Sequence, residues 1–427
     1  MRLKKIFGYA ALIAVMALSQ SCLKEHQDIF DKTASARMQE FLENTRTVLT
    51  GAEYGWRMEY FTNYGGYNYA LQFKDGKVTA SNEMHPGETE TSYFKLTTSD
   101  GPVLSFDTNS DMLHFFATPS SSEYEGKGGD FEFIILSAEE DEVILKGVRT
   151  GYEAHLYPLT EPVADYTTRI ANVIKDMLVL GFECDFDGDK SWSGRFDLME
   201  RMVIFGRYDQ DGVVIGDELS ESFIYTESGV KLYEPLDVNG YSFLSFHVDA
   251  VPGVITTDND KAVITAKAIP DEYIRFEQIP GTYSLRAGGS TYNVELKVYD
   301  EFSREFEMFG LGNYQIFLQY DVNTGRLLWD SQFIHVGEEL CPNGDYYVCM
   351  IGINDQGSLT TSYNMYGIWD GKSQENPTFQ FVSGTELANV VGFILWNYNT
   401  SEGFGGQYSG EYNPTQLRPL TSMTKTK

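Results

Sequence analysis

Residues 70–80 read ALQFKDGKVTA, and this short stretch has the pattern of a β-hairpin. Asp75-Gly76 is a typical two-residue turn, and the alternating runs on either side of it are typical of two antiparallel strands. Similar turn signals recur at Asp100-Gly101 and at residues 138–141. A succession of such hairpins predicts antiparallel sheets, in which one face packs in a core and the other is available to a partner or ligand.

The composition of the whole chain agrees with a β-rich protein. Aromatic residues make up 14% of 427 residues and there are 40 glycines, which is typical of sheets with tight turns. With 42% hydrophobic residues, a chain this long can bury more than one core. The formal charge of −30 argues against a nucleic-acid partner, because phosphates require basic patches. Four cysteines and six histidines argue against a disulfide-dense or zinc-rich scaffold.

The N-terminus has the pattern of an export signal. Three basic residues precede an apolar run over residues 6–18, which is too short to cross a bilayer core of about 30 Å as a helix. Small residues then lead to Cys22, as in a bacterial lipobox, where the cysteine is acylated and becomes the new N-terminus. An ordinary secretory signal is the alternative. The lipobox predicts a signal peptide over residues 1–21 and a tether over residues 22–30.

Removal of that signal shifts the formal charge from −30 to −33, because three basic and no acidic residues are lost. Two or three acyl chains on Cys22 would hold the protein firmly at a membrane. An acidic body is repelled by anionic lipid and should stand off the surface on its tether. We therefore expect a lipid-anchored protein of the outer membrane, on its cell-surface or periplasmic face.

Two helices are predicted, with starts and stops that both differ by 130 residues. The first covers residues 33–50, with Asp31 as its cap, and the second covers residues 163–180. Gly51 and Gly181 are predicted to stop them.

Strand patterns after each helix match at the same spacing, for example residues 92–97 and 222–227. This indicates two tandem helix-plus-antiparallel-sheet repeats, over residues 31–160 and 161–280. Chance similarity between β-rich segments is the alternative.

Residues 281–427 lack a clear long helix and predict an all-β domain, either a sandwich or a small barrel. The polar tail after Leu420 is expected to be loose. The overall fold class is thus mostly β with a few helices (α+β). The predicted strands of this domain are 292–298, 314–320, 326–329, 346–351, 365–369, 378–382 and 393–398.

Motifs for catalysis are absent from the sequence. It contains no His-Glu-x-x-His, no Gly-x-Ser-x-Gly and no phosphate-binding glycine-rich loop followed by Lys and Ser or Thr. The histidines are scattered singly, and 62 acidic residues guarantee chance carboxylate pairs. We expect a protein that is not an enzyme, with a hydrolase that uses carboxylates outside any motif as the less favoured alternative.

A candidate metal site is the segment Asp185-Phe186-Asp187-Gly188-Asp189. Alternating carboxylates on one side of a turn suit a hard cation such as Ca²⁺. However, Lys190 stands where a calcium loop needs glycine, and Phe196 stands where its bidentate glutamate should be. A polar hairpin turn is the alternative for Asp185, Asp187 and Asp189, and no other cofactor is indicated.

Two cysteines bracket a turn near the C-terminal end. Cys341 and Cys349 flank Pro342-Asn343-Gly344-Asp345, and an oxidising envelope would permit a disulfide. A tight Asn-Gly turn would instead set Cys341 opposite Tyr346. The sequence leaves this pairing open, and Cys184 has no obvious partner.

Aromatic rings interleaved with glycine and asparagine form the remaining signal. Rings stack on apolar faces of sugars or peptides while amides take their hydrogen bonds. The alternative is that these residues fill strand cores. The candidate ligand-binding residues are Tyr67, Tyr363, Trp369, Trp396, Tyr398 and Tyr408.

Several segments together resemble one family. They are Cys22 with its lipobox, Phe30-Asp31-Lys32, residues 55–60, residues 66–78 and residues 223–236. They resemble the lipoproteins of Bacteroidota grouped as domain-of-unknown-function family 4302, over roughly residues 22–245. The resemblance implies an envelope lipoprotein commonly encoded near SusC/SusD-type outer-membrane uptake receptors, and it implies no activity and no catalytic residue.

The sequence therefore predicts a non-catalytic ligand-binding accessory that captures a glycan or peptide for a SusC/SusD-type nutrient uptake system. Its partners would be the membrane, through the N-terminal lipid, and that outer-membrane complex. The alternative is a structural or adhesive surface lipoprotein that binds Ca²⁺.

Overall fold

A computed structural model gives the fold of the chain, which is mostly β, as predicted. Strands account for 52% of residues and helices for 11%. No helix in the described part of the chain has the length and apolar character needed to span a membrane. The structure describes residues 32–99, 101–106, 108–119, 124, 126–209, 213–248, 254–259, 261–334, 346–370, 377–399 and 403–426.

Three α-helices lie in the described residues: α1 (Ala34–Gly51), α2 (Asp111–His114) and α3 (Val163–Asp176). The α1 helix is capped by Thr33, whose hydroxyl accepts a hydrogen bond from the backbone N–H of Ala36 at 3.2 Å. The predicted cap Asp31 lies outside the described residues.

The prediction that Gly181 stops the second helix is wrong. The α3 helix ends at Asp176, and Met177 already has extended dihedral angles (φ −80°, ψ 108°). Gly181 instead begins a strand and pairs with Arg195. Sheet pairing there takes precedence over the helical pattern of the sequence.

The first sheet has nine strands and is barrel-like. Its order is β4-β3-β2-β1-β9-β8-β7-β6-β5, and its two edge strands are separated in the chain only by the buried Phe94. The sheet must therefore curl until its first and last strands come together. Its strands are β1 (Trp56–Thr62), β2 (Gly65–Lys74), β3 (Lys77–Asn82), β4 (Glu90–Tyr93), β5 (Lys95–Thr97), β6 (Val103–Ser105), β7 (Glu132–Ala138), β8 (Val143–Gly147) and β9 (Glu153–Pro158).

The second sheet is a closed barrel of eight antiparallel strands in chain order, with its last strand paired back to its first. Phenylalanines fill its interior, among them Phe182, Phe205, Phe243 and Phe246. Its strands are β10 (Gly181–Phe186), β11 (Trp192–Asp197), β12 (Met202–Arg207), β13 (Leu219–Thr226), β14 (Gly229–Val238), β15 (Tyr241–Val248), β16 (Val254–Thr257) and β17 (Ala262–Ala266).

The third unit begins after a short 3-10 turn (Phe276–Gln278) and is a second closed barrel with a six-stranded side sheet. The barrel strands are β18 (Gly281–Ala287), β19 (Ser290–Asp300), β20 (Glu305–Phe309), β21 (Ile316–Asp321), β22 (Arg326–Asp330), β26 (Asn364–Asp370), β27 (Thr378–Ser383) and β31 (Leu420–Lys425). The side-sheet strands are β23 (Gln332–Phe333), β24 (Tyr346–Asn354), β25 (Leu359–Thr360), β28 (Val390–Asn399), β29 (Gly403–Gln407) and β30 (Gln416–Leu417).

The seven strands predicted for this region are all present, but the expectation of a loose tail after Leu420 is wrong. The β31 strand pairs with both β18 and β27 and so closes the barrel. Leu420 and Met423 point into the core and are almost completely buried. Two apolar residues three positions apart were enough for a strand, because both neighbouring strands offered unpaired edges.

The three units pack side by side. Strand β2 touches β13 so closely that a Cβ atom on Gly66 would lie 2.6 Å from Cβ of Ile224, so only glycine fits there. The Asn68 side chain crosses this contact and donates to the backbone oxygen of Tyr225 at 2.9 Å. Phe302, at a hairpin tip of the third barrel, packs against first-sheet rings including Tyr67 and Phe116.

The two long helices do not occupy matching places. The α1 helix packs on β2, β5 and β7 of the sheet that follows it. The α3 helix packs on β1, β2 and β3 of the preceding sheet as well as on β13 of its own. The tandem duplication of residues 31–160 and 161–280 therefore stays a prediction.

Candidate functional site

The aromatic residues that the sequence proposes as ligand contacts lie in different packing environments. Tyr67 is buried in the first sheet. Trp369 packs against Phe379 inside the third unit, with ring centroids 5.0 Å apart. Tyr408 stacks on Tyr412 at 5.3 Å. Each of these three rings thus packs against other side chains of the protein.

The other three candidates belong to the side sheet and its surroundings. Trp396 packs on an apolar cluster that includes Ile351. The hydroxyl of Tyr363 accepts a hydrogen bond from Asn354 Nδ2 at 3.4 Å. The side chain of Tyr398 lies outside the described side chains. Of the five candidates whose side chains the structure describes, Tyr67 is the one that lies at the cavity described below.

The three aspartates of the candidate metal site each accept a hydrogen bond from another group of the protein. Asp185 Oδ1 accepts a backbone N–H of the turn at 2.7 Å, and Asp187 Oδ2 accepts the hydroxyl of Tyr241 at 2.7 Å. Asp189 Oδ1 accepts the hydroxyl of Ser191 at 2.7 Å. In the described part of the chain, no three Asp, Glu, His or Cys side chains converge closely enough to hold a metal ion.

Two of the four cysteines are described, and both are free and buried. Burial raises the pKa of the Cys184 thiol to about 12 and that of the Cys349 thiol to about 11. Both therefore stay protonated and weakly nucleophilic at neutral pH. Cys22 and Cys341 lie outside the described residues.

A cavity of about 440 Å³ lies where α3, the first sheet and the two closed barrels meet. We call it the junction cavity. Its volume falls in the range typical of small-molecule sites. Ile174 and Met177 of α3 supply apolar wall, and four tyrosines line the cavity: Tyr67, Tyr225, Tyr273 and Tyr320.

Two equivalent hairpin turns reach this cavity, one from each closed barrel. In the second barrel, residues 198–201 join β11 to β12, and in the third barrel, residues 301–304 join β19 to β20. An aspartate precedes each turn and accepts a backbone N–H from within it, Asp197 at 3.0 Å and Asp300 at 2.8 Å. Each turn ends in an arginine that lines the cavity.

These two arginines have an unusual backbone conformation. Arg201 has φ +51° and Arg304 has φ +55°, in the left-handed region. The other positive-φ residues that are not glycine, among those described, are Asp75, Asp187 and Asn239, which are residue types that tolerate this region. Arginine is not such a type, and strained residues of this kind concentrate at functional sites.

A third hairpin of the same length shows what the geometry itself prefers. Residues 322–325 join β21 to β22 after Asp321, and the position equivalent to the two arginines is Gly325, with φ +71°. The Asn323 side chain of this turn donates to Asp197 Oδ1 at 3.0 Å and so ties the two barrels together beside the cavity. Glycine is therefore the residue that the turn favours, and arginine is present for another reason.

Arg201 is the buried cation of the junction cavity. It forms an ion pair with Glu83, whose side chain is 1% exposed, and donates to the backbone oxygen of Gly66 at 2.6 Å. Its guanidinium also lies 3.8 Å from the ring centroid of Tyr67. Burial acts to lower the pKa of Arg201, but Glu83 and the neighbouring tyrosines outweigh it and raise that pKa. The guanidinium of Arg201 is therefore permanently charged, and its partners are Glu83, Gly66 and the ring of Tyr67.

Arg304 is different, because no carboxylate in the described part of the chain pairs with it. Burial raises the pKa of Tyr67 to about 12, while the positive charge of Arg304 acts to lower that pKa. Burial also raises the pKa values of Tyr225, Tyr273 and Tyr320, and the charge of Arg304 acts to lower each of them. The guanidinium of Arg304 thus lies in the electrostatic reach of all four tyrosine hydroxyls.

Two of those hydroxyls are unused. Tyr320 donates to the backbone oxygen of Ile274, and Tyr273 donates to that of Val322. Tyr67 and Tyr225 are each only 4% exposed, and among the described residues neither hydroxyl has a hydrogen-bond partner. Both side chains line the junction cavity, so these two hydroxyls are available to a ligand.

Sequence reasoning did not identify the two arginines. The signal was present as Asp-x-x-x-Arg in residues 197–201 and again in residues 300–304. Residues 300–304 fall between two predicted strands, 292–298 and 314–320, where glycine or asparagine would be ordinary, whereas no strand is predicted next to residues 197–201. Nothing in the linear sequence indicates that the two turns meet.

Comparison with known families gives the relationship of the chain. Residues 26–250, more than half of its length, match the family described as Domain of unknown function (DUF4302). The chain belongs to this family. The first sheet and most of the second barrel of this DUF4302 protein fall in the matched range, including Tyr67 and Arg201. Residues 256–396 match a second domain of unknown function, DUF4987, which contains Arg304.

Matches to individual proteins add little. No curated protein matches the DUF4302 chain. A mutant of Transferrin Binding Protein B from Haemophilus parasuis Hp5 is 9% identical with a TM-score of 0.13; the match covers 85% of this chain and 66% of that one, just under two thirds. A protein from Lactobacillus plantarum is 12% identical with a TM-score of 0.11, covering 87% and 99%. TM-scores this low support no inference about fold or function.

Proposed function

We propose that this DUF4302 protein is a lipid-anchored envelope protein that captures a small nutrient ligand in the junction cavity. The ligand is a glycan or a peptide, and the protein acts as a non-catalytic accessory of a SusC/SusD-type outer-membrane uptake system of Bacteroidota. The observation that carries the binding role is the pair of hydroxyls of Tyr67 and Tyr225, which line a cavity of about 440 Å³ and have no hydrogen-bond partner among the described residues.

The chemistry of the cavity favours binding over hydrolysis. Its buried carboxylate, Glu83, is held by Arg201 and also accepts two hydrogen bonds from Asn68. The other two lining carboxylates, Glu277 and Glu301, are exposed at its edge. Aromatic walls with a few fixed hydrogen-bonding groups are typical of recognition sites for sugars and peptides.

The first test concerns the lipid anchor on Cys22. Cells that express the full chain should incorporate a labelled fatty acid into it, and Cys22→Ser should abolish the label, because the thiol is the acylation site. Membrane fractionation measures the consequence: the wild type should sediment with the outer membrane, and Cys22→Ser should be released from it. Recovery of the unlabelled wild type among cytosolic proteins would contradict the localisation.

The second test concerns ligand binding in the junction cavity. We expect at least one compound of a broad glycan and peptide panel to bind the mature chain in calorimetry. Ala171→Trp, which places a large ring in the cavity wall, should abolish that binding, while Leu387→Trp at a position 98% exposed should not. Absence of any binding from the panel, together with failure to co-purify a SusC/SusD-type pair, would refute the proposed function.

A further inference from the structure

The charge of the junction cavity is unlike that of the rest of the protein. The chain carries a formal charge of −30, yet arginines and a lysine outnumber carboxylates in the cavity lining. Arg201 and Glu83 neutralise each other, and the guanidinium of Arg275 donates to the backbone oxygen of Lys175. Lys175, Arg275 and Arg304 then face the two exposed carboxylates of Glu277 and Glu301, and Arg304 has no ion pair among the described residues.

Arg304 is half-buried in the cavity wall and has no ion pair among the described residues, which leaves its guanidinium available to an anion. The left-handed backbone of Arg304 carries a conformational cost, at a turn position where the neighbouring hairpin has Gly325. The unused hydroxyls of Tyr67 and Tyr225 lie in the same cavity. Since burial raises the pKa of both tyrosines, both stay protonated and can donate hydrogen bonds to an anion.

We propose that Arg304, Tyr67 and Tyr225 form an anion subsite that selects a carboxylated sugar as the ligand of the junction cavity. The guanidinium would pair with the carboxylate through charge-assisted hydrogen bonds, and the tyrosine rings would face the sugar. This inference rests on the proposed function, because it names the class of ligand that the cavity captures. An acidic peptide offers the same carboxylate without a sugar ring and is the competing outcome.

The test compares short oligogalacturonides with neutral galactose oligosaccharides and with glutamate-containing dipeptides, using calorimetry on the full mature chain. Oligogalacturonides should bind at least about tenfold more tightly than the neutral sugars, because a hydrogen bond to a charged group contributes that much. Their affinity should fall as salt is raised. Tighter binding of the dipeptides would overturn the choice of a sugar.

Arg304→Gly separates binding from folding. Glycine suits the backbone at this position, so the variant should melt at or above the wild-type temperature while its affinity for oligogalacturonides falls about ten- to a hundredfold. Arg304→Lys should retain part of the affinity. Asn239→Gly is the matched control, since Asn239 also has positive φ (+51°) but lies away from the cavity, and it should leave binding unchanged.

The outcomes separate the two proposals. Equal binding of neutral and acidic sugars, or full affinity in Arg304→Gly, would overturn the anion subsite and leave the proposed function standing. Absence of binding by every sugar and peptide would overturn both. A lowered melting temperature in Arg304→Gly would overturn the argument that arginine is strained there for the sake of binding.

Discussion

Replacement of Arg201 by methionine is expected to lower the free energy of unfolding by about 3–5 kcal/mol. The substitution leaves the carboxylate of Glu83, 1% exposed, without its counter-ion inside the protein. It also removes the cation that lies 3.8 Å from the ring of Tyr67 and the hydrogen bond to Gly66 that joins the second barrel to the first sheet. Chemical denaturation followed by tryptophan fluorescence measures the change.

Two control variants distinguish this effect from a general loss of charge. The double variant Glu83→Gln with Arg201→Met should recover most of the stability, because the glutamine oxygen can still accept the two bonds from Asn68 while no buried charge is left unpaired. Arg195→Met breaks an ion pair with Glu218 that is largely exposed, and should cost no more than about 1 kcal/mol. An equal loss in Arg195→Met and Arg201→Met would contradict the importance of burial.

Ending the chain after Arg418 is expected to unfold the third barrel. The truncation removes β31, which pairs with β18 on one side and β27 on the other. Two strand edges become unpaired, and the buried side chains of Leu420 and Met423 are lost from the core. Limited proteolysis should show rapid cleavage within residues 281–418, and the far-ultraviolet circular dichroism of the truncated chain should lose β signal.

A slightly longer chain is the control for this prediction. Ending the chain after Lys425 keeps β31 and removes little beyond the hydrogen bonds that Thr426 makes with Thr282. That variant should lose only about 1 kcal/mol and resist the protease as the wild type does. If the two truncated chains behave alike, β31 is not needed for closure of the barrel.

The hairpin patterns determined the fold class without any tertiary information. Alternation around Asp75-Gly76 is a local property, because side chains two positions apart share a face and the turn residues require particular dihedral angles. The same locality explains why the seven predicted strands between residues 292 and 398 are present. It also explains why α1 was predicted almost to its last residue.

Closure of the sheets could not be predicted from the same patterns. Whether β17 returns to β10, or β31 to β18, depends on curvature accumulated over eight strands, and no short segment carries that information. The polar tail after Leu420 illustrates this point, because it forms a strand by pairing with the free edges of β18 and β27. For a related reason the α3 helix ends at Asp176, four residues before its predicted end, since Gly181 pairs with Arg195 in the second barrel.

For the candidate site, the sequence by itself determined that Tyr67 lies in an aromatic cluster and that two Asp-x-x-x-Arg segments lie 103 positions apart, at residues 197–201 and 300–304. Only the tertiary structure decided that Arg201 and Arg304 line one cavity, that the first is neutralised by Glu83, and that the second is not. The physical reason is that backbone preferences act over a few residues. Burial, charge compensation and cavity shape are instead set by groups that meet across barrels.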